Sequence, residues 1–472
     1  MVRLKIDGGI ILIGFGAVGR GLLPLLERHF IFDPNNVTII SPNNSTLLED
    51  LRGKYTYLDI GLVEENYQSI LSPILSKGTM VINVSVDVSS VAIMELCEKY
   101  CAHYIDTVIE PWSGFYFNQS SPQHERTNYA LRKTMLEFKN KHPMIATQVS
   151  CCGANPGMVS WFIKKALLTI AHDTQKSTSI PKSRRDWAQL MESLGVKGIH
   201  IAEHDSQKTN KVRPSKSFWN TWSVDGLLSE GMQPAELGWG THEINFPTRG
   251  KRHPDKKACA IYLGRPGANT RVLTWCPSVG AQFGLLVTHN ESISVSDYYT
   301  CENDSGEVRY RPTVHYAYSP CEDAWMSLSH LFANPGWFPD DKKVIDENSI
   351  ISGADQLGVL LFGHKKNAYW YGSTLTHQQA TEAAPQQSAT VLQVTSSIVA
   401  GISWILTNPN SGVVETDEMD FSYCLEVQKS YLGDISGHYT DWTPLHNRPF
   451  LFDELLDTTD PWQFTNVLVD NN

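Results

Sequence analysis

The chain has 472 residues, enough for two or three domains with sizeable cores, and its 41% hydrophobic and 19% charged content is that of an ordinary globular protein. A formal net charge of −11 argues against a nucleic-acid partner, which would carry a basic stripe. No uninterrupted apolar run reaches the roughly 18 residues of a membrane span, so neither nucleic acid nor membrane is an expected partner.

Arg3 and Lys5 precede the apolar stretch Gly8–Gly19 and imitate a secretion signal. No small-residue cleavage site follows, and Arg20 closes the run, so a strand, turn and helix fit better. The apolar run Ile10–Ile13 leads into Gly14-Phe15-Gly16-Ala17-Val18-Gly19, and Ala17–His29 has helical spacing. A sharp strand-to-helix turn aims backbone N–H groups and the helix dipole at one point, which suits a pyrophosphate. Gly14 permits the turn, Gly16 lets the ligand approach the backbone and Gly19 lets helix and strand pack closely. Pro24 is a local misfit in that helix.

Apolar runs recur at Val37–Ile40, Met80–Val84, Tyr104–Val108 and Met144–Val149, and helical stretches at Val91–Tyr100 and Asn128–Lys141. This alternation predicts a Rossmann-type, doubly wound parallel sheet over residues 1–152, an α/β dinucleotide-binding domain. Its strand ends would deliver Ser41, Asn83, Ser85, Asp106 and Thr107 to the cofactor crevice. For any one of these, ordinary turn chemistry is an equal reading. Ser41 stands where an acidic residue usually grips the ribose of NAD. No arginine flanks it to take a 2′-phosphate, so NAD is the expected cofactor.

Nine cysteines without a CxxC pair indicate reduced thiols and a cytoplasmic location. Residues 153–384 carry short alternating runs at Lys197–His204, Ala258–Leu263 and Gly284–His289. They read as an α+β substrate and dimerisation domain with an antiparallel sheet. Residues 385–410, with the apolar stretch Gln386–Leu406, form a helical return to the first domain, and 411–472 are a turn-rich C-terminal segment.

Within His200–His204 the sequence matches HxxEH, a zinc motif that requires a helix. Here the alternation reads as a strand, so no metal is expected. The same alternation puts Glu203 on the face of Ile199 and Ile201, where a carboxylate needs a salt-bridge partner or a cationic ligand. The segment Phe218–Glu243 interleaves Trp219, Trp222 and Trp239 with Asp225, Glu230, Glu236 and Glu243. Aromatic faces beside carboxylates hold alkyl-ammonium ions, although core tryptophans with solvated acids give the same pattern.

The blocks IGFGAVGRGLLPLLERHF, NVSVDVSS, YIDTVIEPWSGFYF, SCCGANPGMVSWF, GVKGIHIAE, GAQFGLLVTHNE, LGVLLFGHKKNAYWYGS and DPWQFTNVLV are far more specific than GxGxxG. Through them the chain resembles the bacterial homospermidine synthases of the saccharopine-dehydrogenase-like group. The resemblance implies condensation of two putrescines into homospermidine with loss of ammonia, or use of spermidine as donor with loss of diaminopropane. It also implies NAD as a tightly held prosthetic group and a homodimer. By the same resemblance Trp222 would stabilise cationic intermediates, and Glu203 and Glu230 would hold the amine ends. Glu110 and Asp355 would add acidic contacts, and Asn155 and His289 would orient the reacting amine. Ser41 departs from the acidic ribose partner expected there. The rivals are a saccharopine- or carboxynorspermidine-type dehydrogenase consuming NAD(P)H, and a non-catalytic NAD-sensing module.

Overall fold

The computed structural model describes residues 3–42, 53–143, 146–176, 179–336, 338–448, 454 and 456–469. Seven parallel strands form one sheet in the order Val413–Glu415, Gln148–Ser150, His103–Asp106, Met80–Asn83, Ile10–Ile13, Val37–Ile40 and Thr56–Leu58. The three inner strands from His103 to Ile13 are buried along their whole length, as helices on both faces demand. Register pairs Ile13 with both Ile40 and Asn83, and Asn83 with Asp106, so the C-terminal strand ends line up at one edge.

The helices Ala17–His29 and Asn128–Lys141 fall where their apolar spacing put them, with Pro24 inside the first. The strands expected to end at Val84 and Val108 stop at Asn83 and Asp106. Asn83 Oδ1 accepts the Ser85 N–H (3.3 Å) and so turns the chain. The strand expected from Met144 runs Gln148–Ser150, and residues 144–145 lie outside the described ones. Thr56–Leu58 and Val413–Glu415 carry too little pattern to be legible; the second enters the sheet from the far end of the chain.

The return helix spans Ala389–Thr407 and packs on Ala17–His29. Gln387 Nε2 donates to the Gly21 carbonyl (2.8 Å), and a Cβ at Gly401 would stand 2.6 Å from Cys152 Sγ. Contrary to the sequence expectation, this helix is long and apolar enough to cross a membrane, but 83% of its apolar window is buried inside the protein. Several of its hydroxyls bond back to the helix, as Ser403 Oγ does to Val399 O (2.8 Å), which conceals those polar residues.

The second sheet has ten strands, its main path running Gly250–Arg252, Ala260–Pro266, Pro234–Gly238, Thr313–Ser319, Gly198–Asp205, Ala354–His364, Asn367–Thr376 and Asp434–Thr440. The hairpin Arg271–Cys276 and Gly280–Leu285 joins at Tyr318. The sheet is mixed where an antiparallel one was expected, because Thr313–Ser319 and Gly198–Asp205 run parallel. The chain between them supplies the long crossover such a pair needs. Residues 411–472 are shared out: Val413–Glu415 extends the first sheet, and Asp434–Thr440 closes an edge of the second.

Buried polar groups tie the two sheets together beside the strand ends. Arg132, on the helix Asn128–Lys141, bonds Glu415 (2.7 Å) and Asp297 (2.9 Å). Glu236 accepts the N–H groups of Asn128 (2.9 Å) and Tyr129 (3.2 Å) at the start of that helix. Its carboxylate favours the positive end of the helix dipole.

Candidate active site

A cavity of about 820 Å³ opens between the strand ends of the first sheet and the face of the second. Its floor comes from Val18, Ser85, Thr107 and Glu110, and its far wall from Asn155, Glu203, Trp222, Glu230, His289 and Tyr316.

The glycine turn at one end has the shape a pyrophosphate needs. A Cβ at Gly14 would meet Val84 O at 2.8 Å, and one at Gly19 would meet Gly14 O at 2.3 Å, whereas Gly16 faces open space. Gly16 caps the helix Ala17–His29 without any side-chain hydrogen bond, and no acid stands in its first turn. The N–H groups around Phe15 to Gly19 thus keep a positive, accessible end, and the residues fit a dinucleotide. Ser41 is buried at its strand end, where its carbonyl accepts the Tyr57 hydroxyl (2.9 Å). Ser85 and Thr107 line the cavity.

Asn83 and Asp106 are turned inward instead. Asn83 donates to Val88 O (3.2 Å), and Asp106 accepts the Cys151 N–H (2.6 Å) and the Tyr104 hydroxyl (2.9 Å). Burial raises the Asp106 carboxyl to about 7. Both residues shape the strand ends rather than the cavity surface.

On the far wall the strand Gly198–Asp205 sends Glu203 toward the cavity. Asn155 Nδ2 (2.8 Å) and the Tyr316 hydroxyl (2.5 Å) donate to Glu203 Oε2. Burial raises Glu203 to about 7 against those two hydrogen bonds. On the opposite strand face, the His200 ring lies 4.2 Å from that of His315 and its Nδ1 sits 3.2 Å from Thr274 Oγ1. The HxxEH residues therefore diverge across a strand. Among the described residues, no group of three His, Cys, Asp or Glu could hold a metal.

Trp222 follows the strand Ser217–Asn220 and precedes the helix Val224–Met232, whose N-cap is Ser223. Its indole N–H donates to the Tyr318 hydroxyl (3.0 Å), and a Cβ at Gly226 would come within 2.9 Å of its ring. One helical turn beyond Gly226 stands Glu230, bonded to His289 Nε2 (3.0 Å). Glu291 holds the other ring nitrogen (3.1 Å). Burial alone would discharge His289, but Glu291 and Glu230 on either side raise it to about 10 and keep it an imidazolium.

Glu110 is buried in the cavity wall, and among the described residues its Oε2 has no hydrogen-bond partner. Burial, then Glu230 and Asp87, raise it to about 8. A carboxyl group so placed lacks a cation.

The aromatic and acidic segment is divided in its duties. Trp222 and Glu230 face the cavity, whereas Trp219 is buried under Lys343 (4.6 Å from the ring) and Trp239 packs on Phe246 and Phe464. Asp225 pairs with Lys342 at the surface (2.7 Å), and Glu243 accepts the Phe464 N–H (2.8 Å). Asp355 is another departure, because it lies behind Glu203 and is not among the cavity-lining residues; the Thr390 hydroxyl, which does reach the cavity, donates to it. Tyr316, Tyr318 and Glu291 went unnoticed in the sequence. The apolar alternation Val314, Tyr316, Tyr318 was the available sign for the tyrosines.

Two family models match the chain: the saccharopine dehydrogenase NADP binding domain over residues 10–147 and the saccharopine dehydrogenase C-terminal domain over residues 153–441. The homospermidine synthase of Mesorhizobium japonicum is 53% identical over 471 residues, 98% of this chain and 97% of that protein. That of Blastochloris viridis is 52% identical over 469 residues, 98% of each chain. A crystal structure of the Legionella pneumophila homospermidine synthase in complex with NAD superposes with a TM-score of 0.92 at 42% identity, covering 99% of both chains. Kinship of this extent, in sequence and in fold, means that the chain belongs to the homospermidine synthase family, within the saccharopine-dehydrogenase-like group.

Proposed function

We propose that this cavity performs NAD-dependent aminobutyl transfer. Putrescine is oxidised to an imine, a second putrescine condenses with it as ammonia leaves, and the new imine is reduced to homospermidine. Spermidine can replace the first putrescine, with diaminopropane as the leaving amine. Bound NAD supplies a hydride acceptor that returns the hydride within the same turnover.

One observation carries this reading. The cavity is lined by the carboxyl groups of Glu110, Glu203 and Glu230 and the indole of Trp222, and no lysine or arginine is among its lining residues. Such a surface favours a dication, and its imidazolium, His289, is already taken up by Glu230 and Glu291, which disfavours an amino-acid-condensing dehydrogenase. Glu110 and Glu230 anchor the distal ammonium, and Glu203 with Asn155 receives the reacting amine. Trp222 faces the electron-poor carbon without presenting a nucleophile. His289, charged between its two glutamates, holds Glu230 in place until the ammonium arrives. Val18, Val84, Val108, Val391 and Val394 make part of the wall apolar, as a site that must keep water from hydrolysing the imine requires. The glycine turn fits NAD, with Ser85 and Thr107 beside it, and Ser41 leaves the choice against NADP to the ribose pocket. The reading includes a cytoplasmic homodimer, which sedimentation of the purified protein tests directly.

The test is incubation with putrescine and substoichiometric NAD, read by mass spectrometry and by nicotinamide absorbance. Many turnovers of triamine and ammonia per NAD, without net reduction, are expected. Stoichiometric formation of NADH, or no triamine, would overturn the proposal.

A further inference from the structure

Behind Glu203 lie two further acids, Asp205 and Asp355, that do not line the cavity. Asp205 sits two residues beyond Glu203 on the same strand, and strand register sets it opposite Asp355. All three side chains are buried. Among the described residues the hydrogen bonds they receive come from neutral donors: Asn155 and Tyr316 to Glu203, Thr221 and Gln207 to Asp205, Thr390 to Asp355. Among the described residues Asp355 Oδ1 has no donor, and the register that sets Glu203 opposite Leu357 places Asp355, two residues from Leu357, on the same face and diagonally across from Glu203. Buried carboxyl groups so close together, with only neutral donors around them, cannot all be ionised, so they hold at least one proton among them.

The chemistry supplies a use for that proton. The reaction converts two diamine dications into a triamine trication and an ammonium ion, so protons balance overall. Within the turnover, however, the first amine must lose a proton before its carbon can be oxidised and the second before it attacks, ammonia and the new secondary amine each regain one, and the first proton waits longest. A cavity closed to water needs somewhere to keep it.

Resting on the aminobutyl-transfer reading, we propose that Glu203 and Asp355 form a proton-holding pair. The N–H bond of the bound ammonium breaks, leaving its electron pair on nitrogen, and the proton joins the pair, which already carries one. The same proton later forms the N–H bond that lets ammonia leave, and the pair returns to its singly protonated state. Glu203 touches the substrate. Asp355 acts through Glu203 and is a positioning residue, with Thr390 fixing its outer oxygen.

The surroundings agree. Burial, then Glu203 and Asp205, hold the Asp355 carboxyl well above the usual range, and burial raises Asp205 as well. The other titratable groups facing the pair are His289, whose charge favours ionised Glu203, together with Tyr316, Tyr318 and Cys276. Burial pushes the last three away from ionisation, so they stay neutral and leave the proton to the carboxyl pair.

The experiment compares the wild-type holoenzyme with Asp355→Asn, measuring kcat, KM for putrescine and the pH profile of kcat. The amide still donates to Glu203 but cannot hold a mobile proton. Expected are a fall in kcat of at least tenfold, a KM within about threefold, and a rise of kcat with pH that changes from two coupled ionisations to one. Thr390→Val, which removes the hydroxyl bonded to ionised Asp355, should move the upper ionisation to higher pH, and it decides the matter if the asparagine variant does not fold. A wild-type pH profile and kcat in a folded variant would overturn the pair. A wild-type enzyme that makes no triamine would overturn the aminobutyl-transfer reading instead.

Discussion

Trp222 and Glu110 carry the most exposed claims of the account, because each has a role that only a cation explains. Trp222→Ala should lose at least tenfold in turnover, about 1.4 kcal/mol, within the range of a desolvated cation–π contact. Trp222→Phe should keep part of the rate, and equal near-wild-type rates in both would remove the assignment. Glu110→Gln makes a prediction of opposite sign on two axes. Relieving an uncompensated buried acid should stabilise the ligand-free protein by about 1–3 kcal/mol, seen as a higher melting temperature. The same change should weaken putrescine binding at least tenfold in calorimetry. At this scale the sequence was readable where a residue type is chemically unusual for its place, as with Glu203 on an inward strand face. It was opaque where direction decides. Nothing in the spelling separates Trp222, which faces the cavity, from Trp219 and Trp239, which pack in the core. Asp106 shows the same limit, since a strand-end acid can line a crevice or, as here, fold back onto the Cys151 N–H.

Among the elements, the glycines allow the sharpest tests. Gly16 has φ −77° and nothing within 4 Å of an added Cβ, so Gly16→Ala should fold as the wild type does. Its new methyl group would occupy the space of the pyrophosphate, and NAD affinity should drop at least tenfold in a fluorescence titration. Gly19→Ala, whose Cβ would meet Gly14 O at 2.3 Å, should lower both melting temperature and NAD binding. Gly226→Ala sets two effects against each other. Helix propensity favours alanine by roughly 1 kcal/mol, whereas the Cβ contact of 2.9 Å with the Trp222 ring must displace the indole. The account expects a folded helix and a turnover at least tenfold lower. Long elements with clear periodicity, such as Ala17–His29 and Asn128–Lys141, were legible because their apolar stripe repeats over several turns. The strands Thr56–Leu58 and Val413–Glu415 were not, since three residues give no period and the second pairs with Gln148–Ser150 across a gap no local pattern records.

For the molecule as a whole, the buried acids leave a signature in stability against pH. Burial is the main cause that raises Glu203 to about 7 and, with Glu230 and Asp87 adding to it, Glu110 to about 8. It also raises Asp106 and Glu243 to about 7. Between the ordinary carboxylate range and these values the folded state binds more protons than the unfolded chain, so stability falls as pH rises through that window. His289 adds to the trend, since its stabilisation is complete below its ordinary value and is lost as pH approaches about 10. Buried neutral histidines such as His200, His315 and His364, lowered by burial, act in the opposite sense below their ordinary value near 6.5; melting of the ligand-free protein should therefore decline from about pH 7 to 8, and putrescine should flatten the curve by supplying the missing charge. A melting temperature that rises over that range would contradict the placement of these acids. The two-sheet plan was legible from alternation giving way to short strands. The parallel junction at Thr313–Ser319, and the sharing of residues 411–472 between both sheets, depend on long-range pairing that only the folded chain records.

The most direct test of the central claim, that one acidic, cation-binding site removes a hydride and returns it to the same carbon, uses putrescine deuterated at both carbons beside nitrogen. It is incubated with the enzyme, a trace of NAD and an excess of unlabelled NADH, and the triamine is weighed by mass spectrometry. The account predicts homospermidine that retains every deuterium. Replacement of one deuterium by hydrogen in each product molecule would mean that the reduced cofactor exchanges with solution before it reduces the imine, and would contradict it.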